Sequence, residues 1–396
     1  MTSINTKTAG IIITVLLTLG GCLSSSDSLV NSANKVDQPS ESEQDWHQVS
    51  VIQGLENPWS MTWLPNGDML ITERPGRLRL VRDGELEPTE ITGVPEILAL
   101  GQGGLMEVSL HPNFTENRLI YLTYADGTSQ ANHTKVARAI FDGKALQDLQ
   151  VIFEVSPLKS GGQHFGSRLV WLSDGTMLVA IGDGGNPPLK FDGQLIRQQA
   201  QNLENHLGKI IRLNDDGSIP DDNPFMEVEE ADPAIWSYGH RNIQGLTIDR
   251  ATGQVWSTEH GSRGGDELNQ VEAGENYGWP VVTHSQEYSG GEISSERSRP
   301  GMIDPKVVWT PAIAPSGLAF YDGTRFPGWQ GDLFAGGLVA KEVLRLDLDS
   351  SGKVMGQQTI PFEQRVRDVR QGPDELLYVL TDDSNGQLIR LEPVTK

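Results

Sequence analysis

The residues best able to do chemistry sit in short glycine-bracketed phrases: Gly101-Gln102-Gly103-Gly104, Gly162-Gln163-His164-Phe165-Gly166, Gly182-Asp183-Gly184-Gly185, Gly239-His240-Arg241-Asn242, Glu259-His260-Gly261, Gly265-Asp266-Glu267 and Arg365-Val366-Arg367. Glycine lets backbone approach a ligand closely and reach conformations closed to other residues. A histidine in such a loop is suited to take a proton near neutral pH, which marks His164 as a candidate general base. Arg241, Arg365 and Arg367 are cations in a strongly acidic chain, and guanidinium groups hold carboxylates in bidentate fashion, so together they suit an anionic ligand. The stretch Gly261-Ser262-Arg263-Gly264-Gly265-Asp266-Glu267, with Asn276-Tyr277-Gly278-Trp279 after it, combines carboxylates with backbone carbonyls, the hard oxygen donors that Ca2+ prefers. Its spacing is not that of an EF-hand. No HExxH, GxSxG, P-loop or dinucleotide fingerprint is present, so nicotinamide and ATP chemistry are unsupported. Taken singly, each glycine-rich loop reads equally as a turn, and each arginine as a salt-bridge partner.

The phrases fall at the ends of a recurring strand–turn–strand unit. It starts at Met61, Glu107, Leu169, Leu246, Leu318 and Asp368, each copy an apolar segment, a polar turn and a β-rich run. A second alternating phrase follows most copies, at Arg77, Lys135, Lys209 and Val343, with a weaker version at Glu267 and a last segment from Gln387. Two hairpins repeated six times predict an all-β chain folded as a six-bladed β-propeller with four-stranded blades. The copies lie roughly 45 to 80 residues apart, which leaves long loops to gather at one end of the central channel and carry the function. A pair of β-sandwiches is the competing architecture.

The chain has 396 residues, 37% of them hydrophobic, enough for a sizeable core. A formal net charge of −22 argues against nucleic acid and anionic lipid as partners. At the amino terminus, Lys7 precedes an apolar run from Ala9 to Leu19, too short to span a bilayer, which ends in Leu19-Gly20-Gly21-Cys22. Cys22 is the only cysteine. The pattern reads as a lipoprotein signal peptide over 1–22 with a lipidated Cys22, then a Ser/Asn/Gln-rich tether over 23–45 and the catalytic propeller over 46–396. Leu23 is not the Asp that marks inner-membrane retention, so the expected location is the cell envelope, at the outer membrane facing the periplasm.

Taken together, GQGGL at 101–105, HFGSRL at 164–169, GHRNIQGL at 239–246, EHGSRGGDELN at 259–269, NYGWP at 276–280, PSGLAFY at 315–321 and RVRDVRQGPDELLYVLTD at 365–382 resemble the soluble PQQ-dependent glucose/sorbosone dehydrogenase family, in particular its aldose sugar dehydrogenase branch. The similarity spans roughly Val49 to Pro393. It implies oxidation of an aldose at C1 with hydride passed to PQQ, in the presence of Ca2+. By motif it makes His164 the base and Asp183 the residue that orients it. Arg241, Asn242, Arg365, Arg367, Gln102 and the Ser316 region would contact PQQ. Carbonyls of Gly261 and Ser262 would bind the cofactor's Ca2+, while Glu267 and Tyr277 match ligands of a second, structural Ca2+. The resemblance is compatible with a monomer or a homodimer, and it leaves the preferred sugar and the electron acceptor open.

Two departures qualify that resemblance. Ser262 stands where glucose-oxidising members often have Pro, a change a carbonyl ligand survives. Val339 stands where some members have a cofactor-binding Lys, with Lys341 two residues further on. The competing functions are a Ca2+-dependent lactonase-type hydrolase, which leaves the arginine cluster unexplained, and a non-catalytic cell-surface binding propeller.

Overall fold

Each copy of the repeat opens on an apolar segment, and each such segment forms the innermost strand of a four-stranded antiparallel sheet. The computed structural model describes residues 45–394, so the signal-peptide and lipidation readings, and all but the last residue of the tether, lie outside the described residues. Blade one comprises Pro58–Trp63, Met69–Glu73, Arg77–Arg82 and Glu85–Leu86; blade two comprises Leu105–Leu110, Leu119–Gly127, Asn132–Phe141 and Leu146–Glu154. Blade three is built from Leu169–Trp171, Met177–Ile181, Lys209–Leu213 and Ile235–Tyr238, and blade four from Ile243–Ile248, Val255–Glu259, Asp266–Val271 and Val307–Trp309. Blade five is Pro315–Phe320, Leu333–Gly337, Glu342–Leu348 and Val354–Pro361. Blade six takes Val366–Gln371, Leu377–Thr381 and Gly386–Pro393 from the end of the chain and its outermost strand, Trp46–Leu55, from the beginning. The architecture is therefore the six-bladed β-propeller that the repeat predicts, and the two-sandwich alternative is excluded.

The core lies between blades. The second strand of every blade but the second is buried along its full length, as in Met69–Glu73, Met177–Ile181 and Leu377–Thr381, because both faces of each sheet pack on a neighbour. Leu70 and Leu80 of blade one meet Val108 and Leu122 of blade two, and equivalent layers join the later blades. The last interface brings Phe334 and Val343 of blade five, Val369 and Leu377 of blade six, and Met61 and Ile71 of blade one into one cluster that closes the ring.

The inner strands of five blades slip register near their start, between Pro58 and Ser60, Leu105 and Val108, Ile243 and Gly245, Pro315 and Leu318, and Val366 and Asp368. A bulge re-aims the side chain it carries. Trp59, Glu107, Gln244, Ser316 and Arg367 all sit at these irregularities. Below them the channel is plugged by charge: Arg168 contacts Glu107 at 3.2 Å and Asp368 at 2.9 Å, Arg370 contacts the same acids at 2.6 and 3.0 Å, and the Arg168 guanidinium lies over Trp59. Four blades share this one network.

Candidate active site

The segment entering blade three carries His164 in the left-handed region, at φ 48°. Its backbone N–H donates to Gln102 Oε1 at 2.8 Å, and Gln102 N–H donates to the Gly162 carbonyl at 2.7 Å, so the loop after residue 100 clamps the loop that bears the histidine. At the end of the second strand, Gly182 lies so close that a Cβ there would fall 2.2 Å from the His164 carbonyl oxygen, which is why only glycine fits. That approach brings the next residue onto the imidazole: His164 Nδ1 lies 2.6 Å from Asp183 Oδ1. Trp279 Nε1 donates to Asp183 Oδ2 at 2.8 Å, and Gly185 N–H to Oδ1 at 3.1 Å. With every neighbour of the carboxylate a donor, His164 carries its proton on Nδ1 and presents the Nε2 lone pair to the channel mouth. Burial lowers the His164 pKa; Arg241 and Lys159 push the same way and Asp183 opposes them.

Around this pair stand the arginines. Arg241 Nη1 donates to the His260 carbonyl at 3.0 Å and Nη2 to Asn186 Oδ1 at 2.7 Å, and its guanidinium lies 5.3 Å from the Trp279 ring centre. The Asn242 Oδ1 accepts from Gly166 N–H at 3.3 Å. Arg367 pairs with Asp382 at 2.8 Å, and the half-exposed Arg365 reaches the same carboxylate at 3.3 Å. Burial works against the Asp382 charge, yet these two guanidiniums hold its pKa below the usual range. Arg241 Nε, Asn242 Nδ2, Arg367 Nε and Ser262 Oγ are all buried without a hydrogen-bond partner. Unmet buried donors are costly, and a ligand bearing carboxylates would satisfy them. Ser316 differs, because its buried hydroxyl donates to the Val366 carbonyl at 2.8 Å and joins blade five to blade six.

The oxygen-rich residues group in blade four. Gly261 N–H donates to Asp266 Oδ1 at 2.7 Å and Ser262 N–H to Ser285 Oγ at 3.0 Å, which fixes the turn that carries their carbonyls. Glu267 pairs directly across the sheet with Glu259. Burial, with the Glu259 charge beside it, drives the Glu267 pKa well above the carboxylate range, the situation a divalent cation relieves. The Tyr277 hydroxyl is already committed, donating to the Gln270 carbonyl at 2.7 Å and accepting from Glu272 N–H at 2.8 Å, so only its main-chain carbonyl is left for a cation. Among the described residues no three His, Cys, Asp or Glu side chains converge on one point. The donor set is mostly backbone oxygen, which suits Ca2+ and not zinc.

Sequence reasoning did not single out Asn186, and it placed Trp279 only in a candidate Ca2+ stretch, not beside Asp183. Both lie in segments whose glycines and prolines were legible, but their partners are far away in the chain: Trp279 meets Asp183 across 96 positions and Asn186 meets Arg241 across 55. Lys159 was missed as well. It is buried, with Nζ donating to Asn132 Oδ1 at 3.0 Å and lying 3.7 Å over the Phe165 ring, and burial drops its pKa to about 7. Val339 is 63% exposed.

A family model for glucose/sorbosone dehydrogenases matches residues 55–390. The chain is 40% identical over 354 residues to the aldose sugar dehydrogenase YliI of Escherichia coli, an overlap covering 87% of this chain and 92% of that one. It is 28% identical over 409 residues to quinoprotein glucose dehydrogenase B of Acinetobacter calcoaceticus, covering 84% of each. The apo-form crystal structure of the soluble aldose sugar dehydrogenase from Escherichia coli superposes with a TM-score of 0.83 at 38% identity, over 88% of this chain and 100% of that one.

Proposed function

The chain belongs to the glucose/sorbosone dehydrogenase family, and from that membership we propose that it oxidises aldose sugars at C1 to lactones, dependent on PQQ and Ca2+. One observation carries the reading: a histidine locked by Asp183 with its Nε2 lone pair turned away from that carboxylate, together with buried donors on Arg241, Asn242 and Arg367 that have no partner. Arg241, Asn242 and Arg367 would hold the carboxylates of PQQ, with Arg365 and Gln102 at the rim. The carbonyls of Gly261 and Ser262 would hold its Ca2+, while Glu267 and the Tyr277 carbonyl would hold a second. When bound, PQQ supplies the acceptor for the hydride that leaves C1, with Ca2+ polarising the accepting carbonyl.

The protein's own part is proton chemistry and orientation. His164 Nε2 takes the C1 hydroxyl proton, so the sugar loses a proton to the base and two electrons with the hydride. Asp183 keeps the imidazole in the tautomer that can accept, then stabilises the imidazolium. The Trp279 indole N–H holds Asp183 in turn, and the 3% exposure of His164 keeps bulk water off the base.

The test is dye-linked dehydrogenase activity of the purified protein on glucose and other aldoses, with PQQ and Ca2+ added singly and together. Activity is expected only with both, and His164→Ala is expected to lose on the order of 10²–10⁴-fold in rate while still binding PQQ. Lactone hydrolysis without PQQ would favour the hydrolase reading. Absence of both activities and of PQQ binding by absorbance titration would favour the binding propeller. The envelope location, as a lipoprotein anchored through Cys22, is proposed on the Ala9–Leu19 run and Leu19-Gly20-Gly21-Cys22 alone. Labelling with radioactive palmitate that Cys22→Ser abolishes would support it.

A further inference from the structure

The His164 lone pair does not face open space. Asn186 stands against it, its Nδ2 3.3 Å from His164 Nε2. The amide's orientation follows from its other neighbour: Arg241 can only donate, so the oxygen 2.7 Å from Arg241 Nη2 must be Oδ1, and the NH2 group must face the imidazole. Gln163 Oε1 accepts from both the backbone N–H and Nδ2 of Asn186, at 3.1 and 3.2 Å. Leu189 N–H closes a turn on the Asn186 carbonyl at 3.1 Å, and the small hairpin Lys190–Phe191 with Gln194–Leu195 follows it directly. The side-chain amide is thus held by Arg241 and Gln163, and its backbone by Gln163 and the turn, against the one atom of His164 that can accept a proton.

Resting on the reading of His164 as the base, we propose that Asn186 is a further catalytic residue: its amide N–H and the His164 Nε2 lone pair converge on the same hydroxyl oxygen of the substrate. An oxygen that donates its proton to Nε2 must come within about 3 Å of it. A site that close to Nε2, on the mouth side, is also within reach of Nδ2. The amide donates to that oxygen while His164 removes its proton, so negative charge gathering on the oxygen meets a donor already in place. Asn186 neither gains nor loses a proton. Before substrate arrives the same N–H occupies the lone pair, which favours neutral His164. The charged or titratable groups facing His164 are Asp183 from the strand end, Arg241 and His260 from blade four, and Lys159 from its own entry segment. All four remain when Asn186 is changed.

The variants are Asn186→Ala and Asn186→Asp. For Asn186→Ala, kcat is expected to fall about 10- to 100-fold on glucose and on xylose alike, with KM within about threefold, because the lost contact strengthens only as charge develops. In cofactor-free protein, the His164 imidazole followed by NMR is expected to titrate at higher pH in Asn186→Ala, by up to about one unit, and higher still in Asn186→Asp. Unchanged kcat with an unmoved imidazole midpoint would overturn the inference. So would a loss of rate that excess PQQ restores, since Asn186 would then serve only Arg241. If the wild type and His164→Ala are equally inactive on aldoses, the dehydrogenase reading falls and this inference with it. An active wild type with a silent Asn186→Ala removes this inference alone.

Discussion

At the scale of residues, the decisive arrangement is the line Trp279–Asp183–His164, and it makes a sharp prediction. Asp183→Asn exchanges one acceptor oxygen for a donor, so the amide cannot accept from both the indole and Nδ1–H. The imidazole is then driven to the tautomer whose Nε2 already carries a proton, and turnover should fall roughly 10³-fold with the fold and PQQ binding retained. Dye-linked kinetics beside a PQQ titration check this. The pH dependence follows from the lowered His164 pKa. A base works unprotonated, so depressing its pKa moves the acid limb of kcat/KM down, to below the ordinary histidine value of 6.5. A limb at or above that value in the wild type would contradict the burial argument. Much of this site was legible as text, because His164, Asp183 and Arg241 sit in glycine-bracketed phrases, where backbone must approach something closely. Asn186 and Trp279 were not, since an amide or an indole is marked as functional only by what it touches. Ser316 and the Tyr277 hydroxyl show the converse: both fall inside family-like motifs, yet their oxygens are spent on backbone carbonyls within the fold.

At the scale of elements, the inner and third strands of every blade begin within a few residues of the repeats read from sequence, because buried strands must alternate or run apolar. The outer strands were harder to see. Leu146–Glu154 is largely exposed and Glu85–Leu86 only two residues long, so burial imposes little pattern on either. The strand Trp46–Leu55 was invisible as part of blade six, because nothing in its composition says that its partner is Gly386–Pro393. It buries Trp46, Ile52 and Leu55 against the closing cluster. Deleting the chain through Leu55 should cost about 5 kcal/mol or more, from three large apolar side chains alone, and lower the melting temperature by roughly 7 °C or more. Deletion through Gln44 should leave the melt unchanged. Differential scanning calorimetry of the two truncations separates them.

At the scale of the whole molecule, the ring is held on its axis by Arg168 and Arg370 against Glu107 and Asp368. Burial raises the Asp368 pKa and lowers that of Arg168, so each depends on the other for its charge. Arg168→Met should destabilise the protein by about 3–5 kcal/mol, because it leaves two buried acids with one cation. Adding Glu107→Gln should recover part of that loss, and urea denaturation of the single and double variants measures the coupling. The seam of the ring has a mechanical consequence of its own. Trp46 lies opposite Pro393 and Leu55 opposite Gly386, so the first and last residues of the seam leave from the same end of one antiparallel ladder. A load drawn between the two chain ends therefore bears on that ladder one rung at a time, as a zip opens, and not on all its rungs together in shear. The seam therefore yields rung by rung to a pull that separates Trp46 from Pro393, and a covalent bond between those two strands would take that mode away.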